Sequence, residues 1–445
     1  MLLSLTTGLA ILGAVSAHTG CGGHEIGARN LGGRVISKRQ VADNVEDVTQ
    51  ECTYYTYEPA AKITKEYPVA WQPAHIVQGD QEAQDMFAQI NKTLGEKFAN
   101  IPVRPAEGTE GNDPQDSGCW WSATKCTQPA QDTGLQPDLT TMPEPETWGF
   151  GFDDGPNCSH NALYNFLGKE NQRATMFFIG SNVIDWPVQA IRAKTDGHEI
   201  CIHTWSHAKM TSVSSEQAFA ELYYTRKVIK ALLDVTPKCW RPPYGDVDNR
   251  IRAIAQHMNL TNIVWSDDTF DWQIGTNGVT QETVAGNYQK VIDKAKNGEY
   301  KTHGPIVLNH EINNNTMSEL IAQYPKIKES FKNIVPVNVG YNITHPYAEE
   351  DYFYPNFEQY VAGTRNYSST PIDGVQPSSS ASGSAGASGS AGATGGAGAA
   401  SGSGSASAGG ATKSGASADQ KNSGAVQNAV AGSLAAVGAA LALLA

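Results

Sequence analysis

The chain has 445 residues and a formal net charge of −13 at pH 7, from 45 Asp and Glu against 32 Lys and Arg. No basic stripe runs through it, which excludes nucleic acid as the expected partner. From about Pro371 onward it is almost wholly Ser, Gly and Ala, a composition that buries no core, so folded matter is expected within roughly residues 45–365 as one large domain with an extension.

The first 17 residues are apolar and end Val15-Ser16-Ala17, a small-x-small pattern that predicts a secretory signal rather than a buried helix. Residues 18–39 end in the dibasic pair Lys38-Arg39 and form a candidate propeptide. Residues 40–144 are an N-terminal extension that either packs on the domain or lengthens its substrate groove. Beyond the domain, a C-terminal extension (346–370) leads to a Ser/Gly/Ala-rich spacer (371–422) and an apolar tail (423–445) with no basic residues after it. Small residues around Asn422, then a terminal apolar stretch, predict a glycosylphosphatidylinositol (GPI) anchor signal, with a tail-anchored helix as the alternative. A cut at Lys38-Arg39 would leave six of the seven cysteines, an even number suited to disulfides in an oxidising compartment; Cys119–Cys126 would close a short loop. N-x-[ST] acceptors at Asn91, Asn157, Asn259, Asn314, Asn342 and Asn366 fit the same compartment. Together these features predict a secreted glycoprotein, GPI-anchored to the plasma membrane or wall.

Between about Thr147 and Val339, short apolar runs alternate with helical patterns. The strands are expected at 148–152, 174–180, 199–203, 239–244, 262–266, 305–310 and 333–339, and the helices near 159–168, 187–195, 214–234, 247–258, 280–296 and 316–331. Alternating β and α units predict an α/β fold with a mostly parallel sheet, and seven strands in this span suggest a distorted (β/α)7 barrel. In such folds chemistry gathers at the C-terminal strand ends. There the sequence places Asp153-Asp154, His203 with His207, Arg241-Pro242-Pro243-Tyr244, Asp267-Asp268 with Asp271-Trp272, and Leu308-Asn309-His310.

Asp-Asp-Gly-Pro alone reads as a turn, and H-x-x-x-H alone as two surface histidines. Together they offer a His-His-Asp set, and three protein ligands with one open position describe a catalytic zinc site. Side chains alternate along a strand, so of Asp153 and Asp154 one would bind metal while the other faces the water as general base. Arg241, stiffened by two prolines, would hold the base. His310, otherwise a satisfied core histidine, would be the general acid, with Asp268 orienting it.

These stretches resemble the five motifs of the polysaccharide deacetylases of carbohydrate esterase family 4, the NodB-homology group. They stand here as G-F-D-D-G-P, H-T-W-S-H, R-P-P-Y, D-T-F-D-W and L-N-H, over roughly residues 145–340. Gly151 departs from the usual Thr, and Asp267 is a rival to Asp268. The resemblance implies Asp153 as general base, Asp154, His203 and His207 as metal ligands, and Arg241 steadying Asp153. It implies Tyr244 as a backbone oxyanion donor, Asp268 tuning the acid His310, and Asp271, Trp272 and Leu308 shaping the substrate pocket. Within the family the chain is similar to fungal chitin deacetylases. The resemblance implies a Zn²⁺ site that Co²⁺ would also suit, chitin or chito-oligosaccharide as substrate, contact with wall glucan, and a monomer. An acetylxylan or peptidoglycan deacetylase, or a catalytically silent chitin-binding wall protein, is the alternative. The rim aromatics Trp205, Tyr244 and Trp272 are expected either to stack on sugar faces or to fill the core.

Overall fold

The computed structural model describes residues 35–36, 44–106 and 118–364. The leader, the Lys38-Arg39 site, Asn366, Asn422 and the Ser/Gly/Ala-rich spacer and tail lie outside them. Contacts divide the chain into Met1–Gly383 and Ser384–Ala445; only residues of the first are described. Among the described residues no helix is long and apolar enough to cross a membrane.

The sheet is parallel. Strands β1 (Thr147–Gly149) and β2 (Gly151–Gly155) follow each other directly, and from β2 onward β3 (Thr175–Phe178), β4 (Glu199–Ile202), β5 (Cys239–Trp240) and β6 (Thr261–Asn262) alternate with helices. β2 to β6 lie side by side in chain order, the simplest arrangement for right-handed crossovers. Every residue of β2, β3 and β4 is buried, as expected for strands covered on both faces. Beyond β6, β7 (Asp267–Asp268) pairs parallel with β8 (Val307–Leu308), and β9 (Asn333–Val335) pairs parallel with β1. A parallel bridge between Asp153 and His310 brings the chain after β8 back against β2.

The helices keep the expected places. α1 (Asn161–Lys169), α2 (Pro187–Thr195), α3 (Ser215–Leu233), α4 (Asn249–His257), α5 (Gln281–Lys296) and α6 (Asn314–Ser330) each follow a strand. α3 begins in a capping box between Ser214 and Gln217 and stops at Asp234, which is left-handed at φ 58°.

Several strands are shorter than their apolar runs suggest, and prolines account for two of them. The strand at Cys239 stops before Pro242-Pro243, which lack the N–H a ladder needs, and the chain turns through Pro243–Gly245. Likewise Pro336 ends β9 and starts the helical turn Val337–Gly340. The run 262–266 is split: Thr261–Asn262 pairs with β5, whereas Asp267–Asp268 pairs with β8.

The N-terminal extension joins the main core. Its helix Gln81–Lys97 supplies Ile90 and Leu94, and Tyr67, Phe98, Ile101 and Trp121 are buried in the same cluster as the strands. Disulfides close Cys52–Cys158, Cys119–Cys126 and Cys201–Cys239, the second being the expected short loop.

Candidate active site

Asp153 and Asp154 end β2, but they do not diverge as strict alternation predicts. Asp154 adopts φ 71°, and the register with β3 shifts between Asp153 and Gly155. That left-handed kink brings both carboxylates to one imidazole: His203 Nε2 lies 3.2 Å from Asp154 Oδ1 and 3.8 Å from Asp153 Oδ2. His207 Nε2 lies 3.1 Å from the same Asp154 oxygen. One ligand atom each from Asp154, His203 and His207 falls within 4.8 Å of the others.

These residues fit a metal. Asp154 Oδ1 is buried with no hydrogen bond of proper geometry, although two imidazole nitrogens crowd it. His203 Nδ1 meets the Arg241 carbonyl at 2.9 Å, and a carbonyl can only accept, so Nδ1 carries the proton and Nε2 offers its lone pair. Burial alone would raise the Asp154 pKa, but His207 and His203 hold it well below the usual carboxylate range.

Arg241 is wholly buried, and its Nη1 donates to Asp153 Oδ1 at 2.6 Å. Its Nε donates to the Ile263 carbonyl at 3.2 Å, and its guanidinium lies 3.9 Å from the Phe177 ring centroid. The predicted base is therefore held by a fixed cation.

His310 stands on the segment bridged to Asp153, and its partner differs from expectation. Asp271, not Asp268, faces the ring: Asp271 Oδ1 lies 2.6 Å from His310 Nδ1, and Oδ2 accepts the His310 backbone N–H at 2.8 Å. Asp268 instead accepts the Phe270 N–H at 2.7 Å, a local turn. Phe270 is left-handed at φ 54°, and that kink carries Asp271 inward until it is wholly buried. Asp271 is thus the imidazole's anchor rather than a pocket wall. Burial by itself would lower the His310 pKa, but the Asp271 carboxylate, with Asp154 and Asp153 nearby, pushes it up to about 10. Asp267 points elsewhere and pairs with Lys294 at 2.7 Å.

Leu308 is buried two residues before His310. Tyr244 is left-handed at φ 59°, its ring 4.7 Å from that of His207. Tyr244 and Trp272 are exposed (51% and 42%), as is Phe270, whereas Trp205 is core. Asn91, Asn259, Asn314 and Asn342 are exposed; Asn157 is half-buried, with Nδ2 donating to the Ile312 carbonyl and Oδ1 accepting from Ser159.

Sequence reasoning missed Glu311. It is wholly buried beneath Gly155, where a Cβ would collide with its carboxyl, and Tyr164 Oη donates to its Oε2 at 3.0 Å. Burial pushes its pKa up to about 8 despite that hydrogen bond. Its place directly after L-N-H was the only available signal.

Set at the strand ends of an α/β fold, these groups can activate water beside a cation and protonate a departing group, the chemistry of a metal-dependent hydrolase. The family described as polysaccharide deacetylase matches residues 141–263. Chitin deacetylase 2 of Cryptococcus neoformans var. grubii is 56% identical over 379 residues, spanning 83% of this chain and 82% of that one. The chitin deacetylase of Amylomyces rouxii is 44% identical over 320 residues, spanning 70% and 74%. The solved structure of the chitin deacetylase from Colletotrichum lindemuthianum covers 46% of this chain and 92% of that one at 21% identity and a TM-score of 0.42. The chain belongs to the polysaccharide deacetylase family.

Proposed function

We propose that this chain is a metal-dependent chitin deacetylase, hydrolysing N-acetyl groups of β-1,4-linked N-acetylglucosamine polymers to acetate and free amines. The 56% identity to a protein named chitin deacetylase 2 supports the substrate. The observation that carries the chemistry is the bracing of Asp153 by Arg241 and of His310 by Asp271, together with the Asp154, His203 and His207 cluster.

A divalent cation held by Asp154, His203 and His207 would acidify water and polarise the amide carbonyl. Asp153 takes the proton from the attacking water, its charge kept in place by Arg241. The Tyr244 backbone N–H faces the oxyanion, and Leu308 lines the space for the acetyl methyl. His310, protonated through Asp271, gives its proton to the amine as the C–N bond breaks. Zinc suits the one-carboxylate, two-imidazole donor set, and cobalt fits it too. We read these parallel pairings as the distorted (β/α)7 barrel of this family. Tyr244 and Trp272, both exposed, would stack on sugar faces. Secretion, N-glycosylation, GPI anchoring near wall glucan and a monomeric state complete the proposal.

The test is acetate release from chitin hexamer by the purified protein, before and after chelation and again after Zn²⁺ is restored. Release that chelator stops and zinc restores supports the proposal. Release from acetylxylan alone would replace the substrate, and no release from either would favour the silent wall-binding alternative.

A further inference from the structure

The loop that carries two of the three candidate metal ligands is held in an unfavourable conformation by a residue outside every motif. In His203–His207, Thr204 has φ 65° and His207 φ 60°. Left-handed backbone is a genuine outlier for a β-branched residue and persists only where the surroundings over-determine it. Glu221, on α3 and wholly buried, supplies that constraint. Its Oε2 accepts the backbone N–H groups of Trp205 at 2.7 Å and Ser206 at 2.8 Å. Its Oε1 accepts the Ser206 hydroxyl at 2.7 Å and the Ala74 N–H at 2.8 Å. Four donors match the acceptor capacity of one carboxylate, and charge-assisted bonds of this kind are the strong ones.

The fourth donor, Ala74, comes from the N-terminal extension, and the extension grips the same loop elsewhere. Tyr67 stacks on Trp205 with ring centroids 5.7 Å apart and planes 5° apart. Trp205 Nε1 donates to the Val69 carbonyl at 3.1 Å. The Trp71 N–H donates to Ser181 Oγ at 2.8 Å, and Ser181 Oγ donates onward to the Trp205 carbonyl at 2.6 Å. The indole, amide and carbonyl of the residue midway between the two histidines are therefore all fixed, directly or through one intermediary, by segment 67–74.

We propose that Glu221, backed by extension segment 67–74, is a positioning residue of the metal centre: it holds the His203–His207 loop with both Nε2 atoms facing Asp154. The proposal rests on the metal-site reading above. It gives the extension a role in ligand geometry that the family match over 141–263 does not contain.

The test is Zn²⁺ affinity of the full protein, measured by competition with a chromophoric chelator, with folding followed by near-ultraviolet circular dichroism and thermal unfolding. Glu221→Gln places an amide NH₂ against backbone donors and is expected to weaken zinc binding on the order of 10- to 100-fold. Ser206→Ala and Tyr67→Leu, which remove one contact each, should shift affinity the same way by less. Glu199→Gln is the structural control: that buried carboxylate accepts Thr175 Oγ1, Asn338 N and Val339 N at the start of β4, away from the metal loop. It should lower the unfolding temperature while leaving zinc affinity unchanged. A folded Glu221→Gln with wild-type affinity overturns the brace and leaves the metal site standing. A wild type that captures no zinc overturns both. If Glu221→Gln does not fold, unchanged affinity in both Ser206→Ala and Tyr67→Leu overturns the brace.

Discussion

Asp271 binds His310 twice, through Oδ1 to the ring Nδ1 at 2.6 Å and through Oδ2 to the backbone N–H at 2.8 Å. One carboxylate thus fixes both where the imidazole stands and which nitrogen keeps its proton, leaving Nε2 to deliver the other. A protonated His310 is competent below its pKa and loses competence as pH rises through about 10, a value set against burial by Asp271 first and then Asp154 and Asp153. Asp271→Asn removes the main charge raising it, so the alkaline limb of the kcat profile should move to lower pH. The rate at neutral pH should fall by roughly 10²-fold or more. A pH–rate profile in which Asp268→Asn shifts that limb and Asp271→Asn does not would refute the assignment.

Arg241→Ala removes the cation paired with Asp153 in a site where both residues are essentially buried. Removing one partner of such a pair costs about 3–5 kcal/mol. Urea unfolding should show that loss at pH 7.

Gly155 has no room for a side chain: an added Cβ would overlap the buried Glu311 carboxyl. Gly155→Ala should destabilise the fold by roughly 1–3 kcal/mol, as overpacking does. It should also reduce activity more than stability, because the displaced turn directly follows Asp154. Combining it with Glu311→Ala should recover part of the stability; a double mutant no better than Gly155→Ala would argue against the clash.

Cation binding to the folded chain alone should stabilise it by about 4 kcal/mol at a thousandfold excess over Kd. Zinc should therefore raise the thermal midpoint of the wild type. His203→Ala should abolish most of that increment, whereas Asp268→Asn should leave it intact. An equal zinc increment in His203→Ala would place the ion elsewhere.

The Cys52–Cys158 bridge spans 106 positions and ties the extension to the turn that follows Asp153-Asp154. A closed loop of that length stabilises by about 4–5 kcal/mol in the chain-entropy account. The Cys52→Ser/Cys158→Ser variant should lose a comparable amount by urea titration. A change below about 1 kcal/mol would mean the noncovalent contacts of the extension suffice.

The order and type of the main elements were legible because buried parallel strands and amphipathic helices write strong periodic signals; α3, with Phe219, Leu222, Tyr223, Ile229 and Leu233 at helical spacing, is an example. So were the ligand residues, because H-T-W-S-H and G-F-D-D-G-P combine unusual residue types at tight spacing. What sequence could not supply were the kinks. A left-handed residue at Asp154 turned two carboxylates expected to face apart toward one histidine, and another at Phe270 exchanged the roles of Asp268 and Asp271. Neither kink carries a glycine to announce it. Glu221 and Glu311 were invisible for a different reason: their partners are distant in the chain, and a lone Glu in a helix or after a histidine carries no pattern.

The bridge between Asp153 and His310 has a kinetic consequence. The Asp153 N–H donates to the Asn309 carbonyl at 2.9 Å and the Glu311 N–H to the Asp153 carbonyl at 3.0 Å, so proton acceptor and proton donor lie on directly paired segments from opposite ends of the domain. Pairings of such high contact order are slow, because the intervening chain must be ordered before they gain anything. Recovery of turnover after dilution from denaturant should then lag behind recovery of helical signal, and hydrolysis itself becomes the readout of the moment the two ends of the domain meet.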